Sequence, residues 1–313
     1  MPVPALVHRG IAYTDSAALG AALAPAVAAA LDDGRVVTVA LEDATMDTLG
    51  AALGDAADAV RFLDVTRPAR TDAFQIAARI ATFAAHAARA GAASLLVTQH
   101  QPGLGRSDAY WLRLEAAVDA ALSALPATLW CAYRTGAPAY TQCHAEVGSM
   151  AEPHRNPGYR TPPDVVRALA APAVPPAPGH ARSWRFDEQG LGSLRRELAA
   201  LVGGSGLDDD AAEDLVYSCS EVATNAVEHG GGSGTAWTWT VGDEVVCQVA
   251  DTGRIADPFP GVVPPPVDQD RGRGLWLARA LCDEVDVASG PEGTTVRLAR
   301  RLVRTEPATR QIR

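Results

Sequence analysis

The chain has 313 residues, enough for two domains that each bury a core, and 48% of them are apolar, as in a globular protein. Its formal net charge of −10 makes it a poor general ligand for nucleic-acid phosphates, so direct DNA binding is not expected. Lysine is absent and all 27 basic residues are arginines, which excludes a Walker-A lysine, a Schiff-base lysine and the catalytic lysine of eukaryotic-type protein kinases.

Met1 to Arg9 lacks a basic stretch followed by an apolar core, and no apolar run reaches membrane-spanning length. The five cysteines, Cys131, Cys143, Cys219, Cys247 and Cys282, are odd in number and form no C-x-x-C pair. Buried free thiols in a cytoplasmic protein are expected, rather than a disulfide framework or a zinc site.

The first 160 residues alternate helix and strand. Ser16 to Leu31 reads as an alanine-rich helix stopped by Asp32-Asp-Gly34, and Arg35 to Leu41 as a compact buried strand. Helices over Thr45–Leu53, Asp72–Ala90 and Ser107–Ala124 then alternate with strands over Ala59–Val65, Ala93–Thr98 and Thr128–Tyr133. That alternation predicts an α/β fold with a doubly wound, mainly parallel sheet. No Gly-x-Gly-x-x-Gly fingerprint and no P-loop follows any strand, and Gly103-Leu-Gly105 reads as a turn. The strand ends carry Glu42-Asp43, Asp64, Gln99-His100 and Arg134, each of which, taken alone, is better explained as a polar loop residue.

Residues 161–181, with Thr161-Pro-Pro-Asp and Ala171-Pro-Ala-Val-Pro-Pro-Ala-Pro-Gly179, read as a proline-rich, weakly structured linker. Ser183–Asp187 then opens a second domain as a strand, and Leu191–Val202 follows as an amphipathic helix.

The next helix begins at Asp208-Asp-Asp210 and stops in Gly230-Gly-Gly232. Leu215, Cys219, Val222, Ala223 and Ala226 form its apolar face, and Glu221 and Asn225 project side by side at i and i+4. A carboxylate can take a proton, and an amide oxygen can enter the oxygen shell of magnesium. The plainer reading is an acidic surface helix closed by glycines. Thr235–Val241 and Val245–Ala250 then form a hairpin that runs into Asp251-Thr-Gly253, where a carboxylate at a strand end can accept a hydrogen bond from a ligand amine. The proline-rich stretch Asp257–Val267 reads as a mobile lid. Arg271-Gly-Arg-Gly274-Leu275 opens an apolar helix through Cys282, where free backbone N–H groups can cradle phosphate, and Gly293–Leu298 reads as a closing strand.

In this order, Glu221-x-x-x-Asn225, Asp251-x-Gly253, Gly272-x-Gly274-Leu275 and Gly293-Thr294-Thr295 resemble the ATP-binding domain shared by gyrases, Hsp90 chaperones, histidine kinases and MutL. Within that superfamily the sequence is similar to bacterial anti-sigma-factor serine/threonine kinases, over about residues 182–303. The resemblance implies an α/β-sandwich ATPase domain that takes ATP and magnesium, followed by a flexible tail at 304–313. Asn225 would bind magnesium, Asp251 would hold the adenine amino group beside Gly253, and Gly272 and Gly274 with Leu275 would line the triphosphate. Thr294 or Thr295 would help at the base, and Glu221 would be the general base. Many relatives carry a further glycine where this chain has Arg254-Ile255.

Val7–Tyr13, Ser107–Trp111 with Glu115, Leu129–Tyr133 and His154–Tyr159 resemble the sensory domain described in methanogen and methylotroph regulators, over roughly residues 6–160. That resemblance implies an unidentified small-molecule or protein signal as input. His8, Cys131 and His154 sit on unrelated elements without zinc spacing, so a core or loop role is expected for them and no metal.

Three functions compete. One is a cytoplasmic anti-sigma protein kinase that phosphorylates an anti-anti-sigma partner and sequesters a sigma factor to control transcription, a reading that also allows a homodimer. Another is a nucleotide-gated docking module without phosphotransfer. A sensor histidine kinase is the third, but its acceptor would have to be His180, beside Pro178-Gly179 in the linker.

Overall fold

The computed structural model describes residues 6–62, 72–101, 105–134, 137–170, 172–265 and 272–302. The chain divides into two compact units, with the division after Leu169. Asp64, Gly103, Arg271, Val267 and the tail lie outside the described residues.

The first unit is built on a seven-stranded sheet. Its strands are β1 (Val7–Tyr13), β2 (Val36–Ala40), β3 (Arg61–Phe62), β4 (Ser94–Gln99), β5 (Ala127–Arg134), β6 (Glu146–Gly148) and β7 (Pro153–Arg155), in the order β3-β2-β4-β5-β1-β6-β7. Every pairing is parallel except β6 with β7. The expected doubly wound, mainly parallel sheet is present, and β1 lies within it, flanked by β5 and β6.

Helices α1 (Ser16–Asp32) and α2 (Asp43–Leu53) cover one face, where Ile11, Val37, Val39, Leu95 and Val97 are buried with Leu19, Leu23 and Val27. They pack closely because Gly20 of α1 lies against α2: a Cβ there would come 2.6 Å from the Thr45 carbonyl oxygen. Helices α3 (Ala73–Arg89) and α4 (Asp108–Leu122) pack against each other, and α5 (Pro138–Cys143) packs on α4. Side-chain oxygens of Asp15, Asp72 and Ser107 accept the free N–H groups at the starts of α1, α3 and α4. In register, His8 faces Leu129, Gly10 faces Cys131 and Ala12 faces Tyr133, so these six residues share one face of the sheet.

Part of the expected linker is a helix, α6 (Pro162–Arg167), which packs on α4 through the buried Val165. Its two prolines suggest extended chain, yet a proline in the first turn costs no hydrogen bond, and the Thr161 hydroxyl donates to Asp164 over 2.6 Å.

The second unit is an antiparallel five-stranded sheet with helices on one face. Its strands are β8 (Arg182–Asp187), β9 (Ser233–Val241), β10 (Glu244–Asp251), β11 (Glu284–Gly290) and β12 (Gly293–Arg301), in the order β11-β12-β10-β9-β8. The helices are α7 (Leu191–Gly203), α8 (Asp209–His229) and α9 (Gly274–Leu281). Leu215, Cys219, Val222, Ala223 and Ala226 of α8 are buried against Cys247, Val249, Val296 and Leu298, as the helical spacing predicts. Each fully buried Leu or Val contributes about 1.5–3 kcal/mol. Asp208 caps α8 by accepting from Ala211 N–H at 2.8 Å, and the chain leaves it through Gly231 (φ 99°) and Gly232 (φ 86°), which favour glycine.

The stretch read as a mobile lid is packed over its described residues, 257–265. Phe259 and Val262 are buried, and the buried Arg279 donates to the Pro260 carbonyl at 3.0 Å and the Val285 carbonyl at 2.9 Å. Gly261 (φ 68°) seats this loop on α9, because a Cβ there would come 2.7 Å from the Leu275 carbonyl group. Proline content alone could not reveal an arginine nineteen residues downstream of Pro260 that fastens the loop.

Candidate functional site

In the second unit α8 presents Glu221 and Asn225 one turn apart, both half-buried. The first residue of α9 is pressed against them: a Cβ on Gly274 would lie 3.2 Å from Asn225 Nδ2 and 3.2 Å from Glu221 Oε2. Glycine therefore lets a helix start, whose first N–H groups have no partner within the helix, come close to a carboxylate and an amide. Gly272, two residues earlier, has φ 77°, a conformation that favours glycine. Leu275 is partly buried and packs against the core.

At the far end of α8, Asp251 closes β10. Its Oδ1 accepts the Gly253 N–H at 2.7 Å, and the Thr252 N–H and hydroxyl both reach the Gly230 carbonyl, at 3.2 and 3.1 Å. Burial raises the Asp251 carboxyl above its usual range, and the Gly253 hydrogen bond opposes that rise. The buried Thr294 donates to the Gly253 carbonyl at 3.0 Å and lies 2.9 Å from the Ser289 hydroxyl, whose oxygen accepts from Ile255 N–H. Asp251, Thr294 and Ser289 stand opposite one another across β10, β12 and β11, on the helix-covered face. Thr295 is not brought to this group. Strand alternation turns it to the other face, away from Val296 and Leu298.

The first unit holds a second cluster. His8 of β1, Glu115 of α4, Cys131 of β5 and His144 after α5 converge on one point in the interior. Glu115 Oε2 is 3.1 Å from His8 Nε2, 3.1 Å from Cys131 Sγ and 3.6 Å from His144 Nε2. Tyr133 donates its hydroxyl to Glu115 Oε1. Burial works against charge on Glu115, but His144 and His8 outweigh it and hold the carboxyl well below its usual range. Burial also pushes the Cys131 thiol up to about 12. Gly10 makes room for the second imidazole, since a Cβ there would come 3.0 Å from His144 Cγ.

A cavity with an empty volume of about 580 Å³, its open mouth included, lies against this cluster. Ile76 and Ile80 of α3, Trp111 and Leu114 of α4, and His100 at the end of β4 line it, and Glu115, Cys131 and Tyr133 form its floor. The His100 ring packs against Trp111 and Tyr133, with centroids 4.6 and 5.0 Å apart. His100 was one of the strand-end residues noted in the sequence. Gln99 instead bonds to Tyr13 and Glu42, at 2.9 and 3.1 Å.

Residues 185–300 match the histidine kinase-like ATPase domain family, and residues 7–146 match the MEDS family, the methanogen/methylotroph, DcmR sensory domain. The chain joins a MEDS sensory domain to a histidine kinase-like ATPase domain. A crystal structure of the RsbU and RsbW domains of Rv1364c from Mycobacterium tuberculosis is similar over 42% of this chain, at 25% identity and a TM-score of 0.31. The match takes in 36% of that protein's chain.

All the nucleotide-site residues expected from the sequence fall inside the matched ATPase domain. Sequence reasoning missed Gly230 and Ser289, which hold Asp251 and Thr294 in place; the three-glycine helix stop was visible, but not what it would touch. In the MEDS domain it missed His144 and the convergence on Glu115. His154, which it weighed with His8 and Cys131, lies exposed on β7 and outside the cluster. All five cysteines are buried and free. No helix among the described residues is long and apolar enough to cross a membrane.

Proposed function

We propose that the protein is an ATP-dependent anti-sigma regulator: a serine/threonine kinase of an anti-anti-sigma partner that also sequesters a sigma factor, with the MEDS domain as its input. The observation that carries the reading is the seat of Gly274 over Glu221 and Asn225, a carboxylate and an amide opposed to the open start of a helix.

The residues fit a nucleotide with magnesium. The space over Glu221 and Asn225 is one that a Cβ on Gly274 would fill, and its donor set is a carboxylate, an amide and backbone N–H groups, the chemistry that magnesium and phosphate call for. Asn225 would hold the metal, which when bound neutralises phosphate charge. The N–H groups at the start of α9, with Gly272 and Gly274, would bind phosphate oxygens, and Asp251 would accept from the adenine amino group. Glu221 would take the proton of the attacking Ser or Thr hydroxyl, so that most of the catalysis is positioning and charge stabilisation. Arg273, at the head of α9, would rank below the glycines in stabilising that charge.

A histidine kinase needs an acceptor histidine on a helix, whereas His180 sits exposed in a turn just before β8. A docking module would have no use for the Glu221 carboxylate. The resemblance of the ordered motifs to anti-sigma kinases supports the choice of partner, and the cavity beside His100 and Trp111 is a suitable place for an input ligand to enter the MEDS domain.

The test is recovery of partners from the source cell with and without ATP, followed by transfer from labelled ATP. Phosphate on a serine or threonine of a recovered protein is expected. A bound protein released by ATP with no transfer to any partner would favour the docking module.

A further inference from the structure

We propose that His8, Glu115, Cys131 and His144 of the first unit bind one zinc ion. They supply two imidazole nitrogens, a thiolate and a carboxylate, a donor set typical of four-coordinate zinc. Ligand atoms on a tetrahedral zinc, with bonds of about 2.0–2.3 Å, stand about 3.3–3.8 Å apart. Two of the separations are already of that size, 3.5 Å from Cys131 Sγ to His8 Nε2 and 3.6 Å from Glu115 Oε2 to His144 Nε2, and the two from Glu115 Oε2 to His8 Nε2 and Cys131 Sγ, 3.1 Å each, need to open only slightly. All four ligand atoms lie within 4.8 Å of one another.

The outer contacts are arranged as a metal site requires. His8 turns Nδ1 to Asp119 Oδ2 at 3.4 Å, and His144 turns Nδ1 to the Tyr140 carbonyl at 3.3 Å, so each ring presents Nε2 to the centre. Tyr133 occupies the outer oxygen of Glu115, leaving Oε2 for the ion. His144 Nε2 is buried and has no hydrogen-bond partner, though it points at the carboxylate. Charge also balances, because a carboxylate and a thiolate offset the two charges of zinc while both imidazoles stay neutral. Binding therefore releases the Cys131 proton and any proton held by His8. The ligands come from strands β1 and β5, helix α4 and the end of α5, a rigid frame, and the adjoining cavity touches Glu115 and Cys131 and provides the way in.

The experiment uses the full chain without a polyhistidine tag, stripped with chelator and titrated with zinc and cobalt salts. The expected results are one zinc per chain, a rise in melting temperature with zinc, and a cobalt form with tetrahedral visible bands and a thiolate-to-cobalt charge-transfer band. Cys131→Ser should lose the charge-transfer band. Asp119→Asn, which leaves all four ligands in place, should weaken zinc by about 10–100-fold, and His154→Ala should bind as the parent does. A folded parent that takes up neither ion, or a cobalt form without the thiolate band, would overturn the proposal. Parental affinity in both Cys131→Ser and His144→Ala would overturn it too, by placing the ion elsewhere.

Discussion

Gly230 and Asp251 fit together with no room for a methyl group: a Cβ on Gly230 would lie 2.5 Å from the Oδ1 and 2.5 Å from the Cγ of the carboxyl group. Gly230 has φ −101°, which alanine adopts freely, so the constraint is contact and not backbone strain. Gly230→Ala should therefore displace Asp251 and weaken ATP at least tenfold, with overpacking that costs about 1–3 kcal/mol of stability. Calorimetry and thermal melts measure both; parental ATP affinity in the variant would separate Asp251 from the base pocket.

Asp251→Asn should act on binding far more than on the fold. Burial raises the folded-state pKa of Asp251 above its unfolded value. The native state thus holds more proton across that interval, and stability falls as pH rises from the unfolded pKa through the folded one. Above the folded pKa the charged form carries a cost that asparagine removes, so the variant should melt at or slightly above the parental temperature at neutral pH and lose that acid-range slope. A charge-assisted hydrogen bond is worth about 1.5–3 kcal/mol, and its loss corresponds to roughly ten- to over a hundredfold in ATP affinity. Unchanged affinity with normal melting would move the adenine pocket elsewhere.

Glu221 and Asn225 share one helix face, yet the proposed function gives them different tasks. Asn225→Ala should lose magnesium-dependent nucleotide binding, whereas Glu221→Ala should keep binding and lose transfer by about a hundred- to ten-thousandfold. Transfer at the parental rate by Glu221→Ala, measured with labelled ATP and the recovered partner, would remove Glu221 from the proton-accepting role.

Arg279→Leu should release the loop over residues 257–265. The substitution leaves the Pro260 and Val285 carbonyls without this donor, at about 1–3 kcal/mol for each buried group left unsatisfied. A lower melting temperature and new protease cleavage within the loop, identified by mass, are expected. Unaltered cleavage would mean that Phe259 and Val262 hold the loop without the arginine.

Local pattern was enough for the elements themselves. The spacing of Leu215, Cys219, Val222 and Ala226 reveals α8 and its buried face, because a helix repeats every 3.6 residues whatever surrounds it. Alternation of apolar strands with helices likewise reveals the parallel sheet of the first unit, and the order of Glu221, Asn225, Asp251 and the glycines carries the likeness to the histidine kinase-like ATPase domain that residues 185–300 match. That Thr294 and not Thr295 stands opposite Asp251 needed the register of β12 against β10, since neighbouring strand residues face opposite ways and only pairing says which way is in. The same limit hid the first unit's cluster: His8, Glu115, Cys131 and His144 are separated by up to 136 residues, and no local spacing reports a meeting that the β1–β5 pairing and the packing of α4 and α5 create. Chain composition could state that histidine, cysteine and glutamate were present; only tertiary packing decided that four of them point at one place.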